Sequence, residues 1–271
     1  MTNSIKVVTY NIHKCRGLDR RVQPARIVEV LREIDADVIA LQEVLSVHGK
    51  GVEDQAQFIA GELGFYSHLG ENRTLHGGAY GNLLLSRFPL GVRKNHDITT
   101  PGRERRGCLR VDIDLGMTTL HVFNVHLGTS FFERRQQAKK LISSAILNEP
   151  KLLGARIVLG DFNEWTHGHA SQLLSHHFHS IDIRAHLGRS RTYPGLFPLL
   201  HLDHIYFDRA FNMSRLTLHR SRAALIASDH LPLVAEFEIP SITKNQHLQN
   251  MESTFAERSS TGGPPPTSLA L

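Results

Sequence analysis

Two polar residues directly after an apolar stretch at residues 157–159 have the types and spacing for hydrolytic chemistry. The stretch breaks at Gly160, and Asp161 and Asn163 stand two residues apart, so both side chains can face the same way. An ionised Asp can orient or deprotonate a water molecule, and a neutral Asn can donate a hydrogen bond to a developing anionic oxygen. The structural alternative is an Asx turn, in which the Asp only binds the local backbone.

A carboxylate and an imidazole recur in two later segments. Asp203 opens one predicted strand, and Asp229 and His230 together precede another. A His that is held by a carboxylate has its tautomer fixed and its protonated form stabilised. The chain has no Gly-x-Ser-x-Gly segment that would present a serine nucleophile, so water is the expected nucleophile.

Three more strand ends carry polar side chains suited to a metal ion or a phosphate. Asn11, Glu43 and His126 each follow a run of strand-forming residues. Mg²⁺ prefers one or two protein carboxylates and completes its octahedron with water and phosphate oxygens, which makes Glu43 a candidate ligand. Taken singly, each of the three also fits a structural role: a turn cap, a solvated carboxylate or a hydrogen-bonding imidazole.

Arg105 and Arg106 are adjacent in a segment ahead of a predicted strand. Their guanidinium groups could clamp a phosphate through paired hydrogen bonds. The alternative is an exposed basic turn with no ligand.

Short strand-forming runs bounded by turn residues must position these side chains. They are predicted at residues 5–10, 38–41, 82–86, 109–113, 120–125, 157–159, 204–207 and 231–237. Helical periodicity is found at residues 25–34, 55–63 and 133–147. Strands outnumber helices and follow one another through tight turns, which favours two mostly antiparallel sheets with helices outside over a purely parallel sheet.

Length, composition and charge indicate how many domains the chain has and which kinds of protein it can be. The 271 residues suit one α/β domain, predicted at residues 1–240, and the Pro, Gly and Ser content of residues 241–271 indicates a flexible tail. The sequence predicts no transmembrane segment and no secretory leader, and two cysteines make no disulfide framework, so a cytoplasmic protein is expected. A net charge of +5 indicates a mild attraction to polyanions such as nucleic acid or an anionic membrane face.

The chain resembles the endonuclease/exonuclease/phosphatase superfamily, which includes DNase I, exonuclease III, neutral sphingomyelinases and inositol polyphosphate 5-phosphatases. The resemblance covers residues 5–238 and is closest to a bacterial branch. It is carried by seven segments in order: Tyr-Asn11-Ile-His, Leu-Gln-Glu43, Gly-Asn82-Leu-Leu-Leu-Ser-Arg, Asn-Val-His126-Leu, Gly-Asp161-Phe-Asn163, Leu-Asp203-His-Ile and Ser-Asp229-His230-Leu-Pro. It implies a DNase I-like α/β fold, a four-layer α/β/β/α sandwich, and a Mg²⁺- or Mn²⁺-dependent phosphoesterase.

The resemblance also implies a metal side to the site. Glu43 would be the principal ligand of Mg²⁺ or Mn²⁺, Asn11 would help to arrange the metal site, and Asp229 would support it. His13 stands where the apurinic endonuclease branch typically has Asp or Asn.

The remaining roles implied by the resemblance are hydrolytic. Asp161 would position or activate the attacking water, and Asn163 and His126 would bind the scissile phosphate. His230 would be the paired imidazole, oriented by Asp203. With these groups we expect Arg105, Arg106 and Asn82 to contact the substrate.

Two activities remain open: endonuclease-like hydrolysis of nucleic acid is slightly favoured, and the alternative is a phospholipid head-group phosphodiesterase or phosphatase. A nuclease needs basic residues around the site, and the candidates are Arg16, Arg20, Arg21, Arg105 and Arg106. A lipid enzyme needs exposed apolar residues for peripheral membrane contact, and the candidates are Phe131, Phe132, Leu196 and Phe197. A third and lower-ranked reading is a non-catalytic relative that keeps the fold as a binding module.

Overall fold

The computed structural model of the chain describes residues 4–116, 118–164, 168–180, 192–193, 200–208 and 211–238. Two sheets of six strands form its centre. The first sheet has the order β11-β12-β1-β2-β4-β3 and the second β5-β6-β7-β8-β10-β9. The strands are β1 (Ser4–Asn11), β2 (Val38–Ser46), β3 (Tyr66–Leu75), β4 (Gly78–Ser86), β5 (Leu90–Asp97), β6 (Gly107–Asp114), β7 (Thr119–His126), β8 (Ala155–Asp161), β9 (His179–Ser180), β10 (Asp203–Phe207), β11 (Asn212–Leu218) and β12 (Leu233–Glu238).

Helices cover the outer face of each sheet, which confirms the predicted four-layer sandwich. The helices are α1 (Pro24–Ile34), α2 (Gln55–Leu63), α3 (Phe131–Leu141), α4 (His169–His177) and α5 (Arg222–Ala227). Helices α1, α2 and α5 share one apolar cluster with the first sheet, and α3 and α4 share another with the second. The predicted mostly antiparallel pairing is also confirmed, since only β1–β2 and β7–β8 run parallel among the described strand pairs.

Alternation along the central strands explains the layers. Val7 of β1 packs between the two sheets, while its neighbour Val8 packs against the helices. Val122 and Phe123 of β7 divide in the same way. Because successive side chains of a strand point to opposite faces, apolar runs of this kind must be covered on both sides.

Four strands lack a sequence signal: β3, β5, β9 and β11. Each lies at an edge of its sheet, and the side chains of β3, β5 and β11 are mostly exposed or half-buried. Edge strands bury less surface and carry more polar residues, so they lose the apolar alternation that marks a strand.

Helix α3 ends at Leu141, whereas the sequence predicts an end at residue 147. The hydroxyl of Ser143 accepts a hydrogen bond from the backbone of Ala145 at 3.4 Å. Serine hydroxyls compete in this way with helical backbone bonds.

The structure places Asn82 in a position that differs from the predicted substrate contact. Its side chain is buried on β4, and its amide nitrogen donates to the backbone carbonyls of Gly107 and Asn124, each at 3.1 Å. The amide nitrogen therefore ties the two sheets together and is not available to a substrate.

None of the described helices is both long and apolar enough to cross a bilayer. The cytoplasmic location stays a prediction, and the predicted tail at residues 241–271 lies outside the described residues.

Candidate active site

Polar side chains from both sheets meet at one edge of the sandwich. In the parallel pairs β1–β2 and β7–β8, the carboxyl ends of both strands lie at the same edge of their sheet. Strand β10 runs antiparallel to β8, which places Asp203 opposite Asp161. The amide nitrogen of Asn11, at the end of β1, donates to Oδ2 of Asp161 at 2.9 Å and so joins the two sheets at this edge.

A β-bulge in β2 turns Glu43 toward this cluster. The β2–β4 register shifts between Leu41 and Val44, and Glu43 has a φ of 57°. The preceding residue, Gln42, is buried between the sheets and donates to Asn124 Oδ1 at 2.8 Å. Bulges commonly redirect a side chain in this way next to functional sites.

Both carboxylate oxygens of Glu43 accept hydrogen bonds. Asn11 Nδ2 lies 3.2 Å from Oε1, and the Lys14 ammonium lies 2.6 Å from Oε2. Burial raises the pKa of Glu43. The charge of a protonated His126 ring and the charge of Lys14 lower this pKa and outweigh the effect of burial. The pKa of Glu43 therefore lies well below its ordinary value, and the group is a carboxylate at neutral pH.

Asp229 lies on the same side and is paired with His13. Nδ1 of His13 lies 3.4 Å from Asp229 Oδ1. Burial opposes the charged form of Asp229, but the contacts with His13 and His230 outweigh it and lower the pKa of Asp229. A second carboxylate is therefore ionised on this side of the site.

The donor chemistry of this side fits a hard divalent cation. The described residues include no ready-made cluster of three or more His, Cys, Asp and Glu side chains that could hold a metal. Mg²⁺ does not need one, since it binds through one or two carboxylates and keeps several waters. Glu43 already holds a cationic group, the Lys14 ammonium, at one of its oxygens.

Asp161 lies where the two sheets are joined through Asn11 and is almost fully buried. Its Oδ1 accepts the backbone N–H of Asn163 at 2.9 Å, so the Asx turn is present. Its Oδ2 lies 3.5 Å from His126 Nε2 and 3.7 Å from His230 Nε2. One oxygen thus fixes the loop while the other faces two imidazoles.

His230 is held between two carboxylates. Its Nδ1 lies 3.0 Å from Oδ2 of the buried Asp203, and its Nε2 faces Asp161. Burial disfavours the charged ring, but Asp203 and Asp161 outweigh it and raise the pKa of His230 to about 10. The ring is therefore an imidazolium at neutral pH, with N–H groups directed at both carboxylates.

His126 has the opposite environment. Its Nδ1 lies 2.9 Å from a guanidinium nitrogen of Arg106, a side chain that is itself buried. Because a guanidinium can only donate, Nδ1 must accept, and the proton of the neutral ring lies on Nε2. Burial and then the charge of Arg106 lower the pKa of His126 to about 4. The ring stays neutral at neutral pH and points an Nε2–H group at Asp161.

Comparison with known protein families shows which family the chain belongs to. The family model described as Endonuclease/Exonuclease/phosphatase family matches residues 8–230. The chain belongs to this family. Its members are generally metal-dependent hydrolases of phosphoester bonds.

Relatives of this family resemble the chain over most of its length. The Escherichia coli (strain K12) protein named "Uncharacterized protein YbhP" is 35% identical over 248 residues, which cover 87% of this chain and 97% of that protein. A family structure from Bacteroides vulgatus has a TM-score of 0.70 at 17% identity and covers 88% of this chain and 100% of its own. The human Nocturnin catalytic domain, solved with a bound sulfate anion, has a TM-score of 0.68 at 20% identity and covers 89% of this chain and 96% of its own.

The structure gathers most of the predicted site residues of this family member. The residues at this edge are Asn11, Glu43, His126, Asp161, Asn163, Asp203, Asp229 and His230. The amide nitrogen of Asn163 donates to the carbonyl of Leu127 at 2.9 Å, so a phosphate contact by this residue stays a prediction. Arg105 is exposed and, with Arg106, borders a cavity of about 180 Å³.

Sequence reasoning missed several residues of the site. Lys14 was not assigned a role, although it directly follows the Asn-Ile-His segment. Tyr80 is buried, with its ring centroid 5.9 Å from the Lys14 ammonium and 4.8 Å from the guanidinium carbon of Arg73. Its only sequence signal was its position two residues before Asn82.

The contact between Arg106 and His126 makes a testable prediction. Replacing Arg106 with Met removes a buried positive charge and the donor to Nδ1, so we expect the pKa of His126 to rise from about 4 toward its ordinary value. A ¹H–¹³C NMR titration of the histidine rings measures this shift, and a His126→Gln variant assigns the signal. A His126 signal that still titrates near pH 4 in Arg106→Met shows that burial alone sets this pKa.

Proposed function

We propose that this chain is a Mg²⁺- or Mn²⁺-dependent phosphodiesterase in which water attacks phosphorus in line with the leaving group. One observation carries the proposal: Asn11 donates to both Glu43 and Asp161, so a metal-type carboxylate and a base-type carboxylate are held on either side of one amide. One carboxylate of such a pair can hold a cation against a phosphate, and the other can activate the water that attacks the same phosphate.

On the metal side, Glu43 would hold the cation, with Asn11 and Asp229 beside it. When bound, the cation supplies positive charge that neutralises the phosphate oxygens. The amide oxygen of Asn11 accepts the backbone N–H of His13 at 3.0 Å, so Asn11 acts mainly by positioning Glu43 and Asp161.

On the hydrolytic side, Asp161 orients the attacking water and accepts its proton. His126 donates through Nε2–H, and His230 donates as an imidazolium, so both can bind phosphate oxygens that gain charge during attack. Asp203 keeps the His230 ring oriented. Burial and the charge of Arg106 favour the neutral form of His126, whereas Asp203 and Asp161 favour the charged form of His230.

For the substrate, the basic side chains near the site support nucleic acid. Lys14 contacts Glu43, and Arg105 is exposed beside Arg106, whose own guanidinium is buried against His126. Arg16, Arg20 and Arg21 are exposed in the segment that follows Lys14. Positive charge of this kind binds successive phosphates of a polynucleotide.

A phospholipid head group is the second candidate, because one apolar pair is exposed close to the site. Phe131 and Phe132 are 50% and 71% exposed, and they begin α3 five residues after His126. Exposed aromatic rings at this position suit contact with a lipid surface. The other predicted pair, Leu196 and Phe197, lies outside the described residues.

Parallel assays on supercoiled plasmid and on anionic phospholipid vesicles, with Mg²⁺ or Mn²⁺, test the proposal. Wild type is compared with Glu43→Gln, which keeps the side-chain shape and loses the charge. We expect plasmid nicking by wild type and none by the variant. Release of lipid head groups by wild type alone selects the second candidate. If wild type cleaves neither these substrates nor an activated phosphodiester, the phosphodiesterase proposal is wrong and the binding-module reading replaces it.

A further inference from the structure

A left-handed turn at His13–Cys15 fixes the position of Lys14. Its three residues have φ values of 45°, 59° and 56°, although none is glycine. Consecutive left-handed L-residues are costly and persist only where surrounding contacts enforce them. Here Gln55 donates to the carbonyl of Lys14 at 2.8 Å, and Asn11 accepts the N–H of His13 at 3.0 Å.

The turn directs the Lys14 side chain at Glu43. The ammonium lies 2.6 Å from Oε2, and the second carboxylate oxygen is bound by the Asn11 amide. Every oxygen of the principal candidate ligand is therefore bonded to an N–H donor. A divalent cation that binds Oε2 lies close to the ammonium, and repulsion between the two positive charges favours movement of the ammonium away from Glu43.

The surroundings of the Lys14 side chain allow its ammonium to move away from Glu43. The Lys14 side chain is 28% exposed, and its nitrogen lies 5.9 Å from the centre of the Tyr80 ring. A lysine has a flexible four-carbon stem and three rotatable donors, and its charge is favourable near an aromatic face. Because the hydrogen bond from Gln55 holds the backbone of Lys14, the ammonium stays within one side-chain length of that backbone after it moves.

The geometry points to Lys14 as a displaceable counter-ion: it neutralises Glu43 before the metal binds, and the metal then releases it to bind the phosphate of the substrate. This inference rests on the proposed function. It assigns two opposite effects to Lys14: the residue weakens binding of the divalent cation and strengthens binding of phosphate. A purely structural lysine would show neither effect.

Two binding measurements without turnover test this inference. Calorimetry gives the Mn²⁺ affinity of wild type and of Lys14→Met, and then the affinity of the Mn²⁺-saturated proteins for inorganic phosphate. We expect Lys14→Met to bind Mn²⁺ about tenfold more tightly and phosphate about tenfold more weakly than wild type. Lys94→Met removes the same charge from an exposed position on β5 and should match wild type in both measurements.

The outcomes separate this inference from the proposed function. Unchanged Mn²⁺ affinity or unchanged phosphate affinity in Lys14→Met overturns the role of Lys14 and leaves the phosphodiesterase proposal in place. No Mn²⁺ binding by wild type and variants alike overturns both. Lys14→Gln, which loses the charge but keeps a polar side chain, replaces Lys14→Met if that variant does not fold, with the same expected results.

Discussion

Asp161→Asn is expected to lower kcat for phosphodiester hydrolysis by about 10³-fold. The variant keeps the size of the side chain but loses the group that accepts the proton of water. It also presents an amide where Asn11 Nδ2 and the backbone N–H of Asn163 both need an acceptor. Steady-state kinetics with saturating Mg²⁺ measure the loss.

A matched control distinguishes this effect from a general effect of removing a carboxylate. Asp114 is exposed and accepts the N–H of Gly116 at 2.8 Å in a turn, a bond that Asn can also accept. Asp114→Asn should therefore keep wild-type kcat. If Asp161→Asn retains more than about a tenth of wild-type kcat, Asp161 is not the base of the reaction.

Asp203→Asn is expected to lower kcat by about 10²-fold. An amide oxygen at position 203 can still accept the Nδ1–H of His230, so the ring stays in place. The ring loses the nearest negative charge that favours its imidazolium form, and the pKa of His230 falls from about 10. Transition-state charge on the phosphate then lacks a cationic donor. Kinetics with saturating Mg²⁺ measure this change.

The same variant changes the pH dependence of stability in a defined direction. In the metal-free protein the pKa of His230 is raised on folding, so its charge contributes fully below the unfolded value of about 6.5. That contribution is lost as pH rises toward about 10. Asp203→Asn should therefore destabilise the protein more at pH 6 than at pH 9.5, as measured by urea unfolding. Equal destabilisation at both pH values contradicts the assignment of a buried imidazolium to His230.

The layers of the fold and the polar residues at the strand ends could be predicted from the sequence, because both have local signals. Apolar strands such as β1 and β8 alternate or run continuously, and polar groups follow at their ends. Parallel pairing then brings strand ends to one edge, so Asn11 and Asp161 meet although 150 residues separate them.

The sequence could not predict contacts that depend on unusual backbone or on tertiary packing. Lys14 reaches Glu43 only because three residues adopt positive φ, which nothing in the local pattern requires. Arg106 was predicted to bind substrate as part of a basic pair, but only the folded structure shows it buried against His126. Asn82 has the same polarity as a ligand-binding residue, and its burial between the sheets gives it a structural role.

The central claim is that Glu43 and Asp161 act together on one phosphate, with a divalent cation on the side of Glu43. Its most direct test is the hydrolysis of bis(4-nitrophenyl) phosphate by wild type and Glu43→Gln across a Mg²⁺ and Mn²⁺ titration. The account predicts wild-type hydrolysis that requires the metal and saturates with it, and a variant that stays inactive or needs far more metal. Metal-independent hydrolysis by wild type, or the same metal dependence in both proteins, would contradict it.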